Sequence, residues 1–101
     1  MVIVLATIRI KPGKADQFIS AFKDNLAAVH AEDGCIEYFP AVDIDAGMAV
    51  QELDDNIVTI CEKWESLAHL EAHAKAPHML AYREQVKDIV EGMSLKVLQP
   101  A

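Results

Sequence analysis

The stretch Ile57-Val58-Thr59-Ile60-Cys61-Glu62-Lys63-Trp64-Glu65-Ser66-Leu67-Ala68-His69-Leu70-Glu71-Ala72-His73, followed by Pro77-His78-Met79, decides how the chain is read. Apolar residues alternate through Val58 and Ile60 and end at Trp64, the only tryptophan, which is the period of a strand with one buried face. Ser66 then stands where a hydroxyl N-cap is needed, and the helix it opens carries His69 and His73 four residues apart on one face. A strand over 57–65 therefore delivers a tryptophan beside a histidine-bearing helix over 66–75. Pro77 suits the first position of a further helix, where its missing N–H is not needed. Met79, Tyr82, Val86, Ile89 and Met93 mark that helix's buried stripe.

Working outward, Met1 to Ile10 is apolar at both parities, so this strand is expected to be covered on both faces. Pro12-Gly13 breaks it. Ala15, Phe18, Ile19, Phe22, Leu26 and Val29 then recur at helical spacing as far as Gly34, predicting one helix of about five turns. Cys35 to Ile44 reads as a strand in which Pro40 argues for an edge position or a bulge. Asp45 to Asn56 is polar, with a short strand expected at Met48 to Glu52, and Ser94 to Leu98 closes the chain as a strand. The order strand, helix, strand, strand, helix pair, strand is the α+β, ferredoxin-like βαββαβ pattern, with helices on one face of the sheet.

The 101 residues are expected to form a single domain over 1–101, with a modest core. Yet 52% of them are hydrophobic, more than one small core needs, which predicts a homodimer. Nine Lys and Arg against sixteen Asp and Glu give a formal charge of −7, which repels phosphates and argues against nucleic acid as a partner. Cys35 and Cys61 have no CxxC partner or zinc-ligand spacing and are expected to be reduced thiols. The first ten residues lack the basic start and cleavage site of a signal peptide, and no apolar run is long enough to cross a bilayer. A cytoplasmic protein with no membrane partner is expected.

Strand periodicity puts Val58, Ile60, Glu62 and Trp64 on one face, towards the helices. A space between sheet and helices would then hold an indole and one carboxylate with histidines above it, a lining suited to an aromatic substrate. Trp64 can equally be a core anchor. His69, His73 and His78 raise the possibility of a metal site, but the glutamate of an HExxH motif and cysteine ligands are both missing, and no metal is expected. His69 is expected in an exposed first helical turn. Histidine, and a desolvated carboxylate such as Glu62, both titrate where a general base is useful. Tyr38 and Tyr82 could donate hydrogen bonds to a substrate oxygen, and Arg83 reads as part of a solvated helix face.

Glu62-Lys63-Trp64-Glu65-Ser66 with the histidines that follow, Pro12-Gly13, Glu32-Asp33-Gly34-Cys35 with Tyr38, and Leu98-Gln99-Pro100 occur in an order and spacing that resemble the antibiotic biosynthesis monooxygenase (ABM) family. Within it the chain is most similar to the bacterial quinol monooxygenases. The resemblance implies that two ferredoxin-like sheets pack face to face into a dimeric α+β barrel. It also implies an enzyme that oxidises a quinol or hydroxylated aromatic with dioxygen and no cofactor. Catalytic residues His73, Glu62 and Trp64 are then expected, His73 as the base and Glu62 orienting or replacing it, with Trp64, His78, Tyr38 and Tyr82 binding substrate. Relatives that oxidise polyketides carry an asparagine four residues before the tryptophan, where this chain has Ile60, and haem-degrading relatives carry one on the first strand, where Thr7 is the nearest polar residue. Both activities are disfavoured. Isomerisation of a small phosphorylated carbonyl compound and a non-catalytic dimeric module that binds an aromatic ligand are the alternatives.

Overall fold

A computed structural model describes residues 1–101. The elements are β1 (Val2–Ile10), α1 (Ala15–Asp24), α2 (Leu26–His30), β2 (Cys35–Ala41), β3 (Ile57–Trp64), α3 (Leu67–Lys75), α4 (Pro77–Val86) and β4 (Val90–Leu98). The four strands form one antiparallel sheet in the order β2-β3-β1-β4, the ferredoxin-like arrangement. No helix is long and apolar enough to cross a membrane.

Parity sorts the sheet. Val2, Val4, Ala6, Ile8 and Ile10 of β1 are buried on the helix side, as are Val58, Ile60, Glu62 and Trp64 of β3. Phe18, Phe22 and Val29 from the first helical segment and Met79 and Val86 from α4 cover them. The opposite face of β1 carries Ile3, Leu5 and Thr7, beside Phe39 of β2 and Cys61 of β3, and no element of the chain lies over it. Leu5 and Phe39 are accordingly exposed.

Several boundaries differ from those the periodicity predicts. The first helix is divided at Asn25, whose backbone N–H bonds to the Phe22 carbonyl three residues back and whose amide donates to Met79 Sδ at 3.3 Å. Asparagine prefers such local bonding to helix interior. Pro40 does lie on an edge strand, β2, where a missing N–H breaks no ladder, but the strand stops at Ala41. Residues 42–56 hold no strand, so none forms at Met48 to Glu52. This segment is folded on itself by Gln51, which bonds Ala46 N and Ile44 O, and is tied down by Asp54 through Asp43 and Arg9. Met93 belongs to β4 rather than to the last helix, because pairing with β1 runs back to Ile10 and Val90.

Two local features bear on the site. Ser66 caps α3 as expected, accepting from His69 N at 3.3 Å. Gly34 has φ +81, and a Cβ there would overlap the His69 ring, so both conformation and space require glycine. That ring is not in open solvent: its Nδ1 meets Ser66 Oγ at 2.7 Å and its Nε2 lies 3.4 Å from Asp33.

Candidate active site

Two residues of β3 and one of α3 form the centre. Glu62 and Trp64 are two apart, so both point to the helix side, and the Trp64 Nε1–H donates to Glu62 Oε1 at 2.9 Å. The indole is fully buried. His73, one turn beyond His69 on α3, lays its ring against it with centroids 4.5 Å apart. The Nε2 of His73 lies 4.0 Å from Glu62 Oε1, a separation that a single ligand hydroxyl can bridge from the cavity side.

The other nitrogen of His73 finds a partner the sequence did not advertise. Its Nδ1 is 2.7 Å from Oε2 of Glu32, and His78 Nε2 is 2.9 Å from that same oxygen. Glu32 lies in the turn before Gly34, where the periodicity predicts the end of the first helix and no site residue. No pattern of spacing links a residue to partners 41 and 46 positions away.

A cavity of about 230 Å³ opens between the sheet and helices α3 and α4. Glu62, His73, Tyr38, Tyr82 and Arg83 contribute to its wall, and the rest is mainly apolar. Val4, Ala6 and Ile8 form its floor, while Met93, Leu95 and Val97, opposite them in register, form the side towards β4. An apolar hole of roughly 150 Å³ holds one benzene ring. This one has room for a substituted or fused ring. The aromatic wall is ordered by stacking, since Tyr38 lies 5.0 Å from Phe22 at 12° and Tyr82 meets Phe18 and Phe22 edge-on.

Two expected lining residues are elsewhere. Trp64 does not reach the cavity wall, because its ring is closed off by His73, Tyr38 and the bond to Glu62. It stands behind the polar pair. His78 also lies off the wall, turned to Glu32 by the start of α4. Arg83, read as a solvated side chain, borders the cavity and donates to the Ala74 carbonyl at 2.8 Å.

Burial sets the protonation states. Desolvation pushes the Glu62 carboxyl up to about 6, against the pull of the Trp64 hydrogen bond and with a further push from Glu32. Desolvation also holds His73 below the ordinary histidine value, outweighing the bond to Glu32. The cavity therefore presents a neutral imidazole at neutral pH. Burial raises the phenols of Tyr38 and Tyr82, which stay protonated as donors.

Raising Glu62 from 4.5 to about 6 also costs stability. The folded chain binds the proton more tightly than the unfolded one, so stability falls as pH rises from about 4.5 to 6 and the full cost, about 2 kcal/mol, persists above. Glu62→Gln keeps an acceptor for the indole and removes the charge. We expect it to gain up to about 2 kcal/mol at pH 8 and nothing at pH 4, measured by urea unfolding; equal effects at both pH values would contradict the account.

A profile of the antibiotic biosynthesis monooxygenase family matches residues 1–85. The chain is 41% identical over 102 residues to the Escherichia coli (strain K12) protein named "Probable quinol monooxygenase YgiN", spanning 99% of this chain and 98% of that one. Among solved structures, Rv0793 from Mycobacterium tuberculosis superposes with a TM-score of 0.80 at 25% identity, covering 99% of this chain and 94% of that one. PA3566 from Pseudomonas aeruginosa does so with a TM-score of 0.82 at 23% identity, covering 99% and 93%.

Proposed function

Because the chain belongs to the antibiotic biosynthesis monooxygenase family, we propose that it is a cofactor-independent oxygenase acting on a quinol or hydroxylated aromatic, as a single domain over residues 1–101. The observation that carries this reading is the buried, neutral imidazole of His73 at the wall of an apolar cavity, with Nε2 4.0 Å from Glu62. The quinol class comes from the likeness to YgiN.

A ring in the cavity would place its hydroxyl between His73 and Glu62. The hydroxyl proton passes to His73 Nε2, and the electron-rich phenolate gives one electron to dioxygen. The radical pair then either joins through a new carbon–oxygen bond or transfers a second electron and proton, leaving quinone and peroxide. Apolar walls favour the approach of dioxygen, and Tyr38 and Tyr82 supply donors for the substrate's second oxygen. Trp64 supports the pair from behind. A phosphorylated substrate is less well served, because the guanidinium of Arg83 is already engaged with Ala74.

We also infer that the active form is a homodimer built on the uncovered sheet face. The chain exposes 6526 Å², whereas a monomer of 11.1 kDa is expected to expose about 5,700 Å². The excess, roughly 850 Å², is close to what one partner buries in a standard interface. Apolar residues of the 42–56 segment, among them Ile44 and Val50, add to the exposed area.

Oxygen uptake by metal-free protein with a bicyclic quinol tests the activity. We expect protein-dependent uptake that declines on acidification, as Glu62, pushed up to about 6, and His73 take up protons, from a species of twice the chain mass in ultracentrifugation. Uptake equal to that of buffer alone would end the oxygenase reading, and binding without turnover would leave a ligand-binding module.

A further inference from the structure

Glu32 has only 13% of its side chain exposed, and nothing in a helix-to-strand turn requires a carboxylate there. A desolvated carboxylate must recover its lost hydration through hydrogen bonds. Two imidazoles supply them on one oxygen, at 2.7 Å from buried His73 and 2.9 Å from His78, whose side chain is 28% exposed. Because a carboxylate offers no proton to share, the hydrogens on both contacts belong to the rings. His73 must then carry its proton on Nδ1 and present the lone pair of Nε2 to the cavity.

We propose that Glu32 is the positioning residue of this site, holding His73 in the tautomer that makes it a base and balancing the imidazolium formed when it takes a proton, while His78 holds the same Glu32 oxygen from its other side. The proposal rests on the reading of His73 as the base. The charged and titratable groups around His73 are Glu32 from the turn before β2, Tyr38 from β2, Glu62 from β3, and His78 and Arg83 from α4. Glu32 raises the proton affinity of His73, whereas His78 and Arg83 lower it. Loss of the Glu32 charge should therefore weaken the base, and removal of the His78 ring should strengthen it.

The test has two arms. In the full-length protein labelled with ¹⁵N-histidine, ring-nitrogen shifts report the tautomer and titration midpoint of His73 without any substrate. We expect the Nδ1–H tautomer in the unaltered chain, a lower midpoint in Glu32→Gln, a higher one in His78→Gln, and partial return in Glu32→Asp. The Nε2–H tautomer in the unaltered chain overturns the proposal even if no variant folds, and so does an unmoved midpoint in a folded Glu32→Gln. In the second arm, quinol oxidation by Glu32→Gln should lose at least tenfold in kcat with KM within twofold, and its acid limb should move to lower pH. Turnover and pH limb both like those of the unaltered protein would refute the positioning role alone. Absence of turnover in the unaltered protein would refute the oxygenase reading, with the resonance arm still deciding the role of Glu32.

Discussion

Replacing His73 with asparagine should reduce the rate of quinol oxidation by a factor of about 10² to 10⁴, the range that a positioned general base contributes. The substitution is chosen for the partners of this ring. An asparagine amide nitrogen sits where Nδ1 does and can donate to Glu32, so the buried carboxylate keeps a hydrogen bond and the fold is expected to hold. What disappears is the lone pair 4.0 Å from Glu62. Substrate affinity depends mainly on the apolar walls and should change little, so the loss should fall on kcat. Initial rates in an oxygen electrode, corrected for uncatalysed oxidation, together with a thermal melt, would check this. A folded variant working within threefold of the original rate would exclude His73 as the base and pass the role to Glu62.

Trp64→Ala should cost more in stability than any other single truncation in the core. Removing a fully buried tryptophan typically loses about 3–5 kcal/mol, and the buried Glu62 is left without its donor, adding roughly 1–3 kcal/mol. Against a total of about 5–15 kcal/mol for an ordinary domain, the variant should be largely unfolded or melt tens of degrees lower. Lost activity in Trp64→Ala therefore says little about contact with substrate. Trp64→Phe is the sharper probe, because it keeps a ring against His73 while removing the Nε1–H and part of the indole's volume. It should cost about 1–3 kcal/mol for the lost donor, with a smaller cavity cost than alanine leaves, and push the Glu62 carboxyl further up, since the hydrogen bond that lowers it is gone. Denaturant unfolding of both variants decides the matter. An alanine variant as stable as the parent would mean that the indole is not the anchor described here.

These two side chains show where sequence reasoning reaches and where it stops. Alternation through Val58, Ile60, Glu62 and Trp64 correctly assigned all four to the helix side, because side-chain direction in a strand follows from backbone geometry alone. The same periodicity cannot say whether a residue on that side meets empty space or another ring. His73 and Tyr38 close over the indole, so Trp64 lies behind the cavity and the Glu62–His73 pair stands at its edge. Likewise, the helical spacing of His69 and His73 was legible, but not that the first ring would lie over Gly34 and the second against Glu32.

The N-cap at Ser66, the helix start at Pro77 and the ferredoxin-like order of the main elements were readable from the chain, apart from the strand at Met48 to Glu52 that does not form and the division of the first helix, because each depends on neighbours a few residues away or on a repeating period. The link from Glu32 to His73 and His78 was decided only by tertiary packing. Antiparallel pairing of β2 with β3 brings the turn before β2 beside the helix that follows β3, and hydrogen bonding between residues so far apart in sequence leaves no local pattern to read.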